Sequence, residues 1–235
     1  MKVFADTSNL DDIKMLNDLS LIQGVTTNPT LMMKEIQEQK KTKQPGDVSH
    51  WHEIVVKICE TVCKPVSAEV TSTTVGEMVE EGKLLSELNE HVVVKLPCTP
   101  DGIHACRVLT EYMDIKVNMT LCFSVAQAVL ASNASAEYIS PFVGRMDDYS
   151  AGSGVKLVKD IQNAYLNADS VVRNGAYTRT KILAASIRNV EHFNQVAEHA
   201  DVATCPPKVI WDIFRHKLTL SGLEQFDNDW KKTNE

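Results

Sequence analysis

Ionisable side chains end several short apolar runs of this 235-residue chain. One of them is Lys95, which follows three valines in the run Val92–Pro97. Such a run is typical of a strand that is buried on both faces. Burying an ammonium group is costly unless it is paired or loses its proton, and a desolvated lysine is a nucleophile towards carbonyl carbon. Lys95 is therefore a candidate nucleophile, and the alternative is a lysine that snorkels to solvent.

Two carboxylates end apolar runs in the same way. Asp6 closes the run Lys2–Asp6, and Glu69 follows Val66-Ser67-Ala68. Taken singly, each could be a helix N-cap or half of an ion pair at a rim. Together with Lys95 they can divide the roles of nucleophile, general acid and general base, so the set favours catalysis.

A second group of residues indicates an anion site. Arg145 and Arg188 both follow predicted strands, and Ser186–Asn189 carries a serine hydroxyl at a predicted helix start. Arginine, hydroxyl and helix N-terminus together are typical of phosphate binding, whereas either arginine alone could form a surface ion pair.

The elements that must position these residues alternate along the chain. Predicted strands, each followed by a helical stretch, cover Lys2–Asp6, Gly24–Asn28, Val66–Val70, Val92–Leu96, Lys116–Thr120, Ala136–Val143, Lys181–Ala185 and Val202–Thr204. Eight such units predict a single (β/α)8 barrel domain over residues 1–235. A doubly wound open sheet is the alternative, but it would more often have a glycine-rich first turn, which this sequence lacks.

In such a barrel the carboxyl ends of all strands meet at one rim, where chemistry occurs. We therefore expect Asp6, Glu69 and Lys95 to share that rim. Further polar residues end other strands: Thr26, Thr27, Asn28, Asn118, Thr120 and Ser140. The loop Lys40–Ser49, which contains Pro45-Gly46-Asp47, is predicted from its turn-forming residues.

Composition excludes some functions. The net charge of −7 argues against nonspecific binding to nucleic acid or to a membrane surface. Six cysteines without a CxxC pair indicate a reducing compartment, so we expect a cytoplasmic protein without a signal peptide or membrane span. A metal site at His50 and His52 is a minor alternative.

A C-terminal helix over residues 221–232 follows the predicted barrel. Leu223, Phe226 and Trp230 share one face of it by their spacing. Two alternatives are left open: this face could pack on the chain's own barrel or on a neighbouring subunit.

Five motifs in this chain resemble the transaldolase family. They are Val25–Thr30, Val94–Pro97, Asn118–Leu121, Ile139–Arg145 and Ala184–Asn189. The short length is similar to the small branch of the family, which includes fructose-6-phosphate aldolase. The resemblance implies a class I aldolase-type barrel without metal or cofactor, in which Lys95 forms a Schiff base with a sugar phosphate. It also implies a homo-oligomer, a pentamer or decamer, in which the C-terminal helix packs on a neighbouring subunit.

The resemblance further implies a role for each site residue. Lys95 would attack the ketose C2 carbonyl, Asp6 would take the C4 hydroxyl proton, and Glu69 with Thr120 would position a water molecule. The implied substrate-binding residues are Asn28 and Asn118 for the dihydroxyacetone hydroxyls, Thr26 and Ser140 in support, and Arg145, Ser186 and Arg188 for phosphate.

Two positions distinguish the branches of the family. Fructose-6-phosphate aldolases have glutamine at the position of Glu69 and tyrosine at that of Phe142. Both residues here are similar to true transaldolases, which implies transfer of dihydroxyacetone from sedoheptulose 7-phosphate to glyceraldehyde 3-phosphate in the non-oxidative pentose phosphate pathway. The alternatives are a lyase that releases free dihydroxyacetone and a sugar-phosphate-binding barrel without catalysis.

Overall fold

The computed structural model describes residues 1–42, 44, 49–166, 171–173 and 176–233. Its strands are β1 (Lys2–Asp6), β2 (Val25–Thr26), β3 (Val66–Glu69), β4 (Val92–Pro97), β5 (Val117–Cys122), β6 (Tyr138–Pro141), β7 (Val171–Arg173), β8 (Ala176–Thr178), β9 (Lys181–Ala184) and β10 (Val202–Cys205). Eight of the described strands close into a parallel barrel in the order β1-β10-β9-β6-β5-β4-β3-β2. The predicted (β/α)8 barrel is confirmed.

Helices surround this barrel. They are α1 (Leu10–Asp18), α2 (Pro29–Thr42), α3 (Trp51–Val62), α4 (Val75–Leu88), α5 (Pro100–Met113), α6 (Val125–Asn133), α7 (Val143–Tyr149), α8 (Ser153–Leu166), α9 (Val190–Val196), α10 (Pro207–Ile213) and α11 (Lys217–Thr233). Short polar side chains cap several of them, because an N-cap oxygen can accept from an otherwise unpaired N–H. Asn9, Thr99 and Asn189 do so for Asp12, Gly102 and His192 respectively.

Two hydrophobic clusters hold the fold together. The larger cluster joins the outward faces of the strands to the helices, with Ile13, Ile58 and Leu109 fully buried in it. The smaller cluster draws one residue from each of five barrel strands: Phe4, Val93, Tyr138, Leu183 and Val202. These side chains fill the interior of the barrel, as the fold requires.

A tight contact explains one glycine beside this interior cluster. A Cβ atom at Gly24 would lie 2.5 Å from Cζ of Phe4. Any larger residue would therefore displace the Phe4 ring that closes the bottom of the barrel.

The structure corrects the predicted strand Ala136–Val143. The strand β6 spans only Tyr138–Pro141, and Val143 begins α7 instead. The chain turns here because the N–H groups of Val143 and Gly144 donate to the carbonyls of Ala185 and Ser186, at 2.9 and 3.0 Å. A seven-residue helix with a glycine has too little periodicity to be found in the sequence.

A β-hairpin was also not predicted. Its strands β7 and β8 pair antiparallel, from Val171 opposite Thr178 to Arg173 opposite Ala176. The sequence places Asn174-Gly175 between them, a dipeptide typical of hairpin turns, so the signal was present. Those two residues, like Pro45-Gly46-Asp47 of the predicted loop, lie outside the described residues.

The C-terminal helix begins earlier than predicted, at Lys217. None of the described residues of α11 is buried, and Leu223 and Phe226 are 61% and 70% exposed. No helix in the described part of the chain combines the length and the apolar character that crossing a bilayer demands.

Candidate functional site

A cavity of about 130 Å³ opens at the carboxyl ends of the barrel strands. Its lining consists of Asp6, Thr26, Asn28, Lys95, Ser140, Phe142, Arg145, Leu183, Ala185, Ser186 and Thr204. Eight of these residues were predicted as site residues from the sequence. The lining brings together a lysine, a carboxylate, an arginine and several hydroxyl groups. The nucleophile, a carboxylate and part of the anion site predicted for the rim therefore line one cavity.

Strand periodicity explains why these side chains meet. Alternate residues of a strand point to the same face. Lys95 lies two residues after Val93 and Thr204 two after Val202, and both valines belong to the interior cluster. The same spacing relates Asp6 to Phe4. The site is therefore the layer of side chains directly above the apolar barrel interior.

Lys95 is buried, with 6% of its side chain exposed. Its Nζ lies 2.8 Å from Oε2 of Glu69, whose side chain is 15% exposed, and it donates to the Thr27 carbonyl at 3.0 Å. Lys95 and Glu69 are register partners on β4 and β3, so their side chains leave the sheet side by side. The alternative of a lysine that reaches solvent is therefore wrong, and the amine is held beside a carboxylate that can exchange protons with it.

Asp6 ends β1 on the same inner face. Thr26 Oγ1 donates to its Oδ1 at 2.8 Å. Burial raises the pKa of the Asp6 carboxyl above its usual range, while the positive charge of Lys95 and the Thr26 hydrogen bond oppose this and the charge of Glu69 adds to it. A carboxylate with a raised pKa is a stronger base, which suits proton abstraction near neutral pH.

Amides and hydroxyls form a buried network beside Lys95. Asn118, the register partner of Lys95 on β5, donates from Nδ2 to Ser67 Oγ at 3.0 Å and accepts at Oδ1 from Ser140 Oγ at 2.7 Å. These bonds fix the orientation of the Asn118 amide. Asn28 Oδ1 accepts from the Leu31 N–H at 3.0 Å, so this residue both lines the cavity and caps α2.

Thr120 is fully buried on β5, two residues beyond Asn118. In the described part of the chain, its hydroxyl has no hydrogen-bond partner. Buried hydroxyl groups are rarely left without one, so such a group is suited to bind a water molecule or a substrate.

Arg145, Ser186 and Phe142 line the cavity where β6 and β9 end. The Arg145 guanidinium lies 4.7 Å from the centre of the Phe142 ring, a cation–π contact that orients it. Ser186 has a φ of 58°, in the left-handed region that non-glycine residues seldom adopt. A Cβ atom at Gly144 would lie 2.5 Å from the Ser186 carbonyl oxygen, so the glycine permits this close approach.

Arg188 is not in the cavity lining. It forms a two-pronged ion pair with Asp148, and both side chains are about half exposed, at 49% and 57%. The hydrogen bonds from Arg188 lower the pKa of the Asp148 carboxyl. The predicted helix after the segment Ser186–Asn189 is present: α9 begins at Val190 with Asn189 as its cap.

Thr204 was not predicted to be a site residue. This residue is 2% exposed, lines the cavity and lies 2.7 Å from Thr26, measured between the two Oγ1 atoms. The eighth predicted strand ends at Thr204, and a polar residue at the end of an apolar run was the signal that could have found it.

A larger cavity of about 290 Å³ adjoins the first one at Asn28. Its walls are mostly apolar, with Met32, Ile36 and Trp51 among them, and Glu69 reaches it from β3. Because its lining lacks Lys95 and Asp6, we assign the candidate site to the smaller cavity.

The residues around Trp51 have structural roles. Glu53 accepts from the His50 N–H at 3.3 Å at the start of α3, and the rings of His50 and His52 stack with centres 5.3 Å apart. No group of three or more His, Cys, Asp or Glu side chains that could hold a metal ion occurs within the described ranges.

Comparison with known proteins gives consistent results. The family model described as "Transaldolase/Fructose-6-phosphate aldolase" matches residues 3–235. Proteins named "Probable transaldolase" are similar over the full length of this chain. They include those of Bacteroides thetaiotaomicron (46% identical, covering 100% of both chains) and Paracoccus denitrificans (44% identical, covering 100% of this chain and 99% of that protein).

A solved structure with a similar fold is an orotidine 5'-monophosphate decarboxylase from Methanocaldococcus jannaschii, complexed with the inhibitor BMP. It superposes with a TM-score of 0.59 over 97% of both chains at 10% identity. At that identity the likeness concerns the fold alone.

Proposed function

Because this chain belongs to the transaldolase and fructose-6-phosphate aldolase family, we propose that it is a transaldolase. The reaction moves a dihydroxyacetone unit from sedoheptulose 7-phosphate or fructose 6-phosphate to glyceraldehyde 3-phosphate or erythrose 4-phosphate, a step of the non-oxidative pentose phosphate pathway. The observation that carries this proposal is the buried Lys95, whose Nζ lies 2.8 Å from Glu69, in a site that also contains Asp6.

The first step is imine formation. Glu69 takes a proton from the Lys95 ammonium, and the free amine attacks C2 of the ketose. Glu69 and the Thr120 hydroxyl then position the water molecule that is lost when the carbinolamine becomes a protonated imine. The Asn118 amide, fixed by Ser67 and Ser140, binds a dihydroxyacetone hydroxyl together with Asn28.

The second step breaks the C3–C4 bond. Asp6 takes the proton of the C4 hydroxyl, that oxygen becomes the carbonyl of the departing aldehyde, and the bonding electrons pass to the imine nitrogen. The product on Lys95 is an enamine. Transfer to the acceptor reverses these movements: the enamine carbon attacks the acceptor aldehyde and Asp6 returns the proton to the new hydroxyl.

In this proposal the phosphate group of the substrate binds where β6 and β9 end. Arg145 and Ser186 line the cavity there, so they contact the phosphate directly in this proposal. Arg188 joins them if the phosphate takes the place of Asp148.

Phe142 favours transfer of the dihydroxyacetone unit over its release as free dihydroxyacetone. Its ring lies at the cavity wall, packed edge-on against Phe123 at 5.6 Å, and carries no hydroxyl that could bring a proton to the enamine. The enamine therefore waits for an acceptor aldehyde. The second candidate, a lyase that releases dihydroxyacetone, is favoured by the family description, which names both activities.

Borohydride trapping tests the proposal. Treatment with borohydride and fructose 6-phosphate should add one reduced dihydroxyacetone unit to Lys95, located by peptide mass spectrometry. Lys95→Met should abolish both the adduct and the transfer. Normal turnover of this variant would overturn the mechanism. If the unmodified protein binds sugar phosphate but forms no adduct, it is a binding protein without catalysis.

A coupled assay separates the two candidate activities. Transfer to glyceraldehyde 3-phosphate is measured beside the dihydroxyacetone that is released without acceptor. Release as fast as transfer would make the lyase the correct function.

The proposal includes assembly and location. We propose a homo-oligomer, because an exposed apolar face such as that of α11 commonly marks an interface. A cytoplasmic location also remains a prediction, and it is supported by the six cysteines, which include no CxxC pair.

A further inference from the structure

A chain of two hydrogen bonds leads from β10 to the base of the proposed reaction. Thr204 Oγ1 lies 2.7 Å from Thr26 Oγ1, which in turn lies 2.8 Å from Asp6 Oδ1. The first bond joins residues 178 positions apart in the sequence, and it exists because β1 pairs with both β10 and β2 when the barrel closes.

The direction of this chain follows from counting protons. A hydroxyl group has one proton to donate, and an ionised carboxylate can only accept. When Thr26 donates its proton to Asp6, the proton between the two threonines must come from Thr204. The chain therefore runs from Thr204 through Thr26 to the carboxylate, and each bond in such a series strengthens the next.

Packing alone does not require a hydroxyl group at this position. Thr204 is 2% exposed and lies above the buried Val202 on the inner face of the barrel, where valine would fill the same volume. A buried hydroxyl costs free energy unless it is bonded. The bond that repays this cost here is the one to Thr26.

We propose that Thr204 is a positioning residue for Asp6 that acts through Thr26. It holds Thr26 as a donor to Oδ1 and thereby leaves Oδ2 of Asp6 to receive the substrate proton. The inference rests on the proposed function, in which Asp6 is the base.

The surroundings of Asp6 determine how to test this inference. The charged or titratable groups that face its carboxyl among the described residues are Lys95 on β4, Glu69 on β3 and the Cys205 thiol on β10, and Arg145 lines the same cavity. None of them is changed when the Thr204 hydroxyl is removed, so a change in the titration of Asp6 is attributable to the hydrogen-bond chain.

The experiment compares Thr204→Val with Thr204→Ser in the pH profile of kcat/KM for donor cleavage. Valine keeps the shape and removes the proton donor, so Asp6 is stabilised less as a carboxylate and its pKa rises further. Because the base is lost as pH falls through that pKa, the acid limb should move to higher pH by about half a unit. In Thr204→Ser, the acid limb of the pH profile should lie at the same pH as in the unmodified enzyme.

A double variant tests whether the effect passes through Thr26. Thr26→Val should move the acid limb at least as far as Thr204→Val does, and combining the two should add nothing. An unmoved limb in Thr204→Val, an equal shift in Thr204→Ser, or additive shifts in the double variant would each overturn the inference.

The borohydride adduct on Lys95 separates failure of this inference from failure of the proposed function. The dihydroxyacetone unit remains on Lys95 only after Asp6 has helped to cleave the donor, so trapping is done at a pH above the acid limb, where Asp6 is ionised in both proteins. There Thr204→Val should form the adduct as the unmodified enzyme does. If the unmodified enzyme forms no adduct, the proposed function fails; if both form it and the limb does not move, only the role of Thr204 fails.

Discussion

Glu69 and Lys95 are neighbours across β3 and β4, and the buried Lys95 Nζ lies 2.8 Å from Oε2 of the largely buried Glu69. Removing either partner leaves an uncompensated charge in a site that water hardly reaches. Such a charge is far more costly than the pair itself, so the two residues must be considered as a unit.

A double-mutant cycle on this pair should show strong coupling. Lys95→Met and Glu69→Gln should each lower the free energy of unfolding in urea, and the double variant should lose less than their sum by about 1–3 kcal/mol. The exposed pair Lys41–Glu38, also 2.8 Å apart, is the matched control, with an expected coupling of about 0.5 kcal/mol or less. Equal coupling energies in the two pairs would contradict the view that the Lys95–Glu69 pair is shielded from water.

Asp6→Asn should stabilise the protein at neutral pH. Burial raises the pKa of Asp6 in the folded state, so the folded protein binds this proton more tightly than the unfolded chain does. Asp6 therefore contributes stability when protonated at low pH, and this contribution is lost as pH rises through the unfolded and then the folded pKa. The melting temperature of Asp6→Asn should exceed that of the unmodified protein by roughly 2–4 °C at pH 7, and the difference should shrink towards pH 4. A difference that grows on acidification would contradict the raised pKa.

Phe142→Tyr should shift the enzyme towards release of dihydroxyacetone. A hydroxyl at the cavity wall can bring a proton to the enamine, so the ratio of release to transfer should rise by about tenfold or more. Phe123→Tyr is the matched control, since that ring packs against Phe142 without lining the cavity. A similar rise in both variants would show that the position of the hydroxyl is irrelevant.

The two arginines should contribute unequally to phosphate binding. Arg145→Ala should raise KM for fructose 6-phosphate by roughly 10- to 100-fold, because a charge-assisted contact inside the cavity is lost. Arg188→Ala should have a smaller effect, because the guanidinium must first leave Asp148.

Asp148→Asn provides the opposite test for Arg188. This change weakens the competing ion pair and should lower KM for fructose 6-phosphate by about two- to fivefold. Unphosphorylated fructose serves as the control donor, for which none of these variants should change KM. A higher KM for the phosphate ester in Asp148→Asn would show that the ion pair positions Arg188 for binding rather than competing with it.

Phe226→Glu should break the proposed assembly. A carboxylate in the middle of the apolar face of α11 would have to be buried in the interface, so light scattering should report a smaller species than for the unmodified protein. Gln225→Glu adds the same charge one position earlier on the helix and should keep the assembly intact. A mass of 26.1 kDa for the unmodified chain would identify a monomer and end this proposal.

The sequence determined the architecture and most of the site. Alternating apolar runs and amphipathic stretches specified the barrel, because strand and helix periods are local properties of the chain. The rule that catalytic groups lie at the carboxyl ends of barrel strands then selected Asp6, Glu69 and Lys95. These residues were found because a charged group at the end of an apolar run is visible without any knowledge of its neighbours.

Only the tertiary structure decided which groups bind to one another. Register set Lys95 beside Glu69, and closure of the barrel joined Thr204 to Thr26 across 178 positions. The same holds for Arg188, which meets Asp148 because the chain forms α7 directly after β6, a helix that was not predicted. Hydrogen bonds and ion pairs require distant parts of the chain to be placed to within a few tenths of an ångström, and no local pattern of residues encodes that placement.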